Sequence, residues 1–199
     1  CLTQEMQVKN RYGTLYELFF QYRNLLTDVC LIALSVIVMA VMANIRIPLW
    51  PVPVTLQTFG VFMMAFFFGR TKGALAMTAY VLVGVLGLGV FTGYNSGLSA
   101  IMGPTGGYIL GFIVMAFVVG KLIENGWGRT KWSVIKAMLI GEVILYTFGL
   151  IGLSLALGTG LWQTLVYGFF PFIIGDAIKI AVAAPLFPYL FRKGAEIRG

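Results

Sequence analysis

Six apolar runs, cut apart by glycine, proline and charge, leave this chain few ways to fold. They cover roughly Leu25–Ala43, Val54–Phe68, Ala74–Phe91, Gly106–Ile123, Val134–Leu157 and Leu161–Leu190. In hydrocarbon each backbone N–H and C=O must be satisfied within its own segment, so runs of this kind predict helices. A span needs about 20 apolar residues, and only the second run, at 15, falls well short. A soluble domain of 199 residues could not cover so much apolar surface, with 59% of its residues hydrophobic and 11% charged. The expected fold is therefore all-α: a polytopic membrane protein with six transmembrane helices. Residues 25–191 form one transmembrane domain, preceded by an N-terminal extension over 1–24 and followed by a basic tail over 192–199.

Charge sets the orientation. Twelve of the fourteen Lys and Arg fall on one side of a six-span arrangement: before the first run, at Arg70 and Lys72, around the fourth-to-fifth turn, and after the sixth run. The exceptions are Arg46 in the first outer loop and Lys179 inside the last run. Cytoplasmic loops carry the excess of cations, which predicts both termini in the cytoplasm of a multi-pass cell-membrane protein. The same asymmetry explains the net charge of +7 without a nucleic-acid partner. With no histidine and only Cys1 and Cys30, neither a zinc site nor a disulfide framework can be built, and no metal or cofactor is expected. A start at cysteine rather than methionine reads as a natural N-terminus that lies upstream or was processed. Tyr12, Leu15, Tyr16, Phe19 and Tyr22 recur at helical spacing near Lys9, Arg11 and Arg23. They predict a short helix lying on the membrane surface, with a disordered extension as the alternative.

Inside the last run stand Asp176 and Lys179, three residues apart and so on one helix face. Lys179 lies about 20 Å along the helix from Arg192, too deep to snorkel to the interface. An ionisable group within a span costs roughly 2.5–3.5 kcal/mol on insertion scales, so two of them need a reason. One reading is a mutually neutralising pair that fixes packing; the other is a pair lining a buried polar cavity. Glu142, in the fifth run, reads as pairing locally near the cytoplasmic side.

The outer segments favour a cavity. Ile47-Pro-Leu-Trp-Pro-Val-Pro53 holds three prolines, which forbid a helix and fix a stiff, extended strand of chain. Trp50 within it is an interfacial anchor or a lid, and Gln57 and Thr58 open the second run as caps or as ligand contacts. The stretch from Phe91 to Tyr108 is glycine-rich and offers Thr92, Tyr94, Asn95, Ser96 and Thr105 as neutral hydrogen-bonding groups. Non-helical backbone at membrane depth survives only when buried or lining a cavity. Two aromatic, neutral polar loops above an Asp/Lys pair suit a small, largely uncharged organic molecule.

Three motifs carry a resemblance: Pro51-Val-Pro-Val-Thr-Leu-Gln57, Gly103-Pro-Thr-Gly-Gly-Tyr-Ile-Leu-Gly-Phe112 and Pro171-Phe-Ile-Ile-Gly-Asp-Ala-Ile-Lys179. Over about residues 30–190 the chain resembles the BioY family, the biotin-binding membrane subunits (S-components) of energy-coupling factor (ECF) transporters. The resemblance implies a six-helix S-component fold, biotin held near the outer face, and as partners a transmembrane coupling subunit and two ATPase subunits. It implies that Asp176 and Lys179 contact the ligand and that the segment after Phe91, with Thr92, Gly93, Tyr94 and Asn95, lines the site. Gln57, Trp50, Arg46 and Tyr108 complete the expected set. Three features depart from the family pattern. Residues 1–24 have no expected counterpart, Thr92–Gly97 is less glycine-dense, and no two of Ala33, Ala40 and Ala43 stand four apart for a partner helix to dock on.

Two other function classes compete with uptake of biotin. An intramembrane enzyme could use Asp176 and Lys179 for acid–base work, yet the runs hold no histidine and no metal-ligand cluster. A channel or packing subunit would line its pore with rings of charge or carbonyls, which a single Asp/Lys pair does not supply. No Gly-rich loop ending in Gly-Lys-Ser/Thr occurs, so energy from ATP would have to come through partner subunits.

Overall fold

The computed structural model describes residues 13–20 and 24–198. Tyr12, Tyr22, Lys9, Arg11 and Arg23 of the expected surface helix lie outside them. The described part of that helix is α1, Leu15–Phe19. Thr14 accepts from the Glu17 N–H while the Glu17 carboxylate accepts from the Thr14 N–H, a reciprocal cap for orphan donors. Helix α1 buries Leu15, Tyr16 and Leu18 against the rest of the protein. Leu18 packs against Gly194 near the C-terminus, and Tyr16 against Phe67 and Phe68. Its apolar face belongs to the protein core rather than to lipid.

Helix α2, Leu25–Asn44, starts at Asn24, whose side chain accepts the Thr27 N–H. It buries only Ser35, Met39 and Ala43, leaving most of its circumference apolar and uncovered. The proline segment that follows is extended as expected, and its ends pair as a short antiparallel ladder, β1 Arg46–Ile47 with β2 Val54–Thr55.

The second and third runs form one helical stretch, α3, Gln57–Val85, that reverses on the single residue Gly69. Gly69 has φ 78° and ψ −165°, a conformation that only glycine adopts without strain. The arms fold back antiparallel: the Gln57 side chain reaches Tyr80, and Gly73 packs on Ala65. A loop over 69–73 was expected there; Arg70, Thr71 and Lys72 are instead already helical. Gly120 of the next long helix sits over the reversal, where a Cβ would come 2.4 Å from the Gly69 carbonyl carbon.

Beyond α3 the outer stretch is less irregular than its composition suggests. It contains a 3₁₀ turn, Thr92–Tyr94, and a short helix α4, Leu98–Met102. Helix α5, Gly106–Leu122, runs through the centre and passes by the turn Ile123–Trp127 to α6, Lys131–Leu157. Helix α6 begins on a Thr130/Ser133 cap and ends at Gly158 in the left-handed region. The sixth run is not one helix. It divides into α7, Leu161–Gly168, a 3₁₀ turn Phe170–Phe172 at Pro171, and α8, Ile173–Arg198. Pro185 and Pro188 lie inside α8 without ending it.

The core is continuous along α3, α5, α6 and α8, with Phe62, Phe66, Met77, Met115 and Met138 fully buried. Phe66 stacks on Phe187 with ring centroids 3.9 Å apart. Among the described residues, Leu25–Asn44, Gly106–Trp127, Lys131–Leu157 and Leu161–Ile197 are long and apolar enough to cross a membrane. The chain is a helical, multi-pass membrane protein.

Candidate ligand-binding site

The break at Pro171 places Asp176 in the first turn of α8, where the helix dipole favours a negative charge. Asp176 is 6% exposed and its carboxylate is doubly held. Oδ1 accepts from the Lys179 ammonium at 2.9 Å, and Oδ2 accepts from the Tyr146 hydroxyl of α6. Lys179, 7% exposed, also donates to the Thr58 hydroxyl at 3.4 Å. Each Asp176 oxygen retains room for a further N–H.

Above this group lies a cavity of about 400 Å³, lined by the two outer loops, the ends of α3, α5 and α8 and the middle of α6. Six expected residues line it: Arg46, Gln57, Thr92, Asn95, Tyr108 and Asp176. Gln57 organises one wall. Its Oε1 accepts from the Thr55 and Thr92 hydroxyls at 3.0 and 2.9 Å, and its Nε2 donates to Tyr80 at 2.8 Å. This joins the first loop, the second loop and both arms of α3, more than local capping alone would do. Tyr108 donates to the Gly168 carbonyl at 2.7 Å and stacks on Phe172, fixing α5 against the break before α8. Asn95, Ser96 and Ser99 reach the cavity with side chains that find no hydrogen-bond partner among the described residues.

Four expected residues stand outside the lining. Lys179 is not among the lining residues but is bonded to two that are, Asp176 and Thr58. Trp50 is 77% exposed and meets Tyr167 edge-on, so its ring faces away while its neighbours Leu49, Pro51 and Val52 face in. Tyr94 is 76% exposed at φ 57°, turned outward by the 3₁₀ turn. Gly93 acts through its backbone: its N–H donates to Asn44 Oδ1 at 3.0 Å, and a Cβ there would come 2.8 Å from the Arg46 guanidinium. Glycine therefore seats Arg46 at the mouth.

Several wall residues escaped the sequence reading. Tyr146 holds the buried pair together with Thr58, which the sequence reading had named, and Phe172, Phe112, Leu145 and Ile109 supply apolar wall. Tyr146 stands one turn from Glu142, a polar stripe on α6 that could have drawn notice. Its meeting with Asp176 is a tertiary fact. Glu142 does not pair locally as expected: it is 6% exposed, and neither oxygen has a hydrogen-bond partner among the described residues. No group of three or more His, Cys, Asp or Glu suited to a metal occurs among the described residues.

Comparison with known proteins places this architecture. The protein named biotin transporter BioY of Thermotoga maritima is 42% identical over 142 residues, covering 71% of this chain and 82% of that one. That of Rhizobium etli is 36% identical over 163 residues, covering 78% and 87%. A crystal structure of the S-component for biotin from an ECF-type ABC transporter superposes with a TM-score of 0.73 at 26% identity, over 87% of this chain and 95% of the other. The model of the BioY family matches residues 9–196, so much of the extension thought to lack a counterpart falls inside it. On that span and those identities, the chain belongs to the BioY family.

Proposed function

We propose that this chain captures biotin at the outer face of the cell membrane as the substrate-binding subunit of an ECF-type uptake system. The observation that carries this reading is one cavity with a cation, Arg46, at its exposed mouth and a buried carboxylate, Asp176, at its floor. Its volume falls within the about 300–1,000 Å³ typical of small-molecule sites. Biotin has a matching polarity. Its ureido ring is neutral and rich in hydrogen-bond groups, and its carboxylate is the costlier end to desolvate. The ring goes to the floor, with N–H groups on Asp176, and the carboxylate stays near Arg46. Asp176 lines the cavity and Lys179 does not, which supports this orientation over one with the carboxylate on Lys179.

Residues 25–191 form the substrate-binding domain with six crossings, the arms of α3 supplying the second and third. Both termini are cytoplasmic, and the segment after 191 is a basic tail. The chain is not an enzyme; a transmembrane coupling subunit and ATPase subunits provide the energy. In purified chain, biotin alone from a vitamin panel should raise the melting temperature, because a ligand bound only by the folded state stabilises it by mass action. A shift with another vitamin and none with biotin overturns the assignment. For topology, single cysteines at Asn95 and Thr159 in a cysteine-free background should react with an impermeant reagent from outside, and those at Arg70 and Lys131 should not.

A further inference from the structure

Among the described residues, Glu142 is the one buried carboxyl that the ligand site does not use. It is 6% exposed, and both oxygens lack a hydrogen-bond partner among the described residues. It lies one helical turn from Tyr146, whose hydroxyl is bonded to Asp176. Through Tyr146 it stands next to the Asp176–Lys179 pair of α8. From α5 the titratable groups are Tyr108, beyond Tyr146, and Lys121, exposed at the far end. The arm 57–68 of α3 packs on neighbouring Gly141 through Phe62 and contains no titratable residue.

We propose that Glu142 is a proton-binding site linked to ligand occupancy, protonated when the Asp176–Lys179 pair holds its ligand. Two carboxyls share one ammonium here. Lys179 is committed to Asp176 at 2.9 Å, and neither Glu142 oxygen has a hydrogen-bond partner among the described residues. An unpaired carboxylate in a dry interior is far costlier than the neutral acid, so the proton stays on while Lys179 serves Asp176. When the proton leaves, two anions compete for Lys179. The ammonium is drawn from Asp176, and the floor loses the arrangement that receives the ligand. Binding and protonation therefore favour one another, and by linkage each strengthens the other equally.

The inference rests on biotin being the ligand, and calorimetry separates the two. Biotin affinity of the wild-type chain should fall about 10-fold or more from about pH 6 to about pH 9. At the upper end, heats in buffers of different ionisation enthalpy should reveal proton uptake on binding. Glu142→Gln, neutral at every pH and of nearly the same shape, should match the wild-type affinity at low pH, lose the pH dependence and take up no proton. Equal pH slopes in the two chains overturn the proposal. So does an E142Q chain that binds weakly at low pH, since the carboxylate charge itself is then required. If E142Q does not fold, absence of proton uptake by the wild type across the range is sufficient to overturn it. A wild-type chain that gives no binding heat with biotin at any pH overturns the functional reading as well.

Discussion

The protein contains the same three-residue arrangement twice, with opposite surroundings. Toward the cavity, Asp176 accepts from Lys179 and from Tyr146; by the α3 reversal, Asp28 accepts from Lys72 at 2.7 Å and from Tyr16 at 2.6 Å. The cavity pair has side chains 7% and 9% exposed, the other pair 30% and 27%. The half-exposed group joins α2 to α3 and to α1, with Lys72 also 4.0 Å over the Tyr16 ring. It clamps an end of the bundle whose charges can still be solvated. The buried group joins α6 to α8 where solvation is lost, and Asp176 opens into a cavity. One chemistry therefore acts as a fastener in one place and, in the function proposed above, as a receptor in the other, with burial and free space as the difference between them.

The comparison breaks first at affinity. Removing one partner of a buried pair costs about 3–5 kcal/mol, roughly a hundred- to several-thousand-fold. Asp176→Asn and Lys179→Met should weaken biotin by factors of that order, and Asp28→Asn and Lys72→Met should leave its dissociation constant within about twofold. An Asp28→Asn chain that loses biotin as Asp176→Asn does would unite the two groups in one function.

Next come the tyrosines. A hydrogen bond to a charged group contributes about 1.5–3 kcal/mol. Tyr146→Phe should therefore weaken biotin by about 10- to 100-fold, whereas Tyr16→Phe should lower the melting temperature with affinity kept. The arginine sharpens the contrast further. Arg46→Met should weaken biotin about 10-fold yet spare a biotin whose carboxylate is an amide, because the pair across the mouth loses its charge assistance. Lys179→Met should hurt both ligands alike. If the amide instead escapes the Lys179→Met penalty, the ligand lies the other way round.

How much of this was legible follows from what is local. The apolar runs, the polar outer loops and the Asp176/Lys179 spacing are properties of short stretches, and the sequence displays them. The break at Phe169–Phe172 was harder. Pro171 ends a helix, while Pro185 and Pro188 are carried inside one, so a proline in an apolar run does not say which it will do. Gly69 reads as loop because cations follow it, yet a single glycine reverses the chain and lets Arg70 and Lys72 stay helical. Trp50 and Tyr94 were chosen for residue type, and only the backbone shows them facing out. Tyr146, Thr58 and the isolation of Glu142 depend on which helices meet, which no single stretch records.

The smallest expected effect tests the fastener itself. Exposed ion pairs contribute about 0.2–1 kcal/mol, and the Tyr16 hydroxyl on Asp28 adds a charge-assisted bond partly offset by solvation. A net loss of about 1–2 kcal/mol on Asp28→Asn corresponds to a drop of roughly 2–8 °C at this chain length. Because these groups reach water, salt should erode their contribution: the gap between wild type and Asp28→Asn should narrow from low salt to about 1 M, where charges are screened within about 3 Å. The corresponding gap for Asp176→Asn, measured without biotin, should stay constant, since ions do not reach a pair so deeply buried. Equal salt sensitivity in the two variants would mean that the cavity floor is as wet as the clamp, and the contrast in burial would no longer explain their different roles.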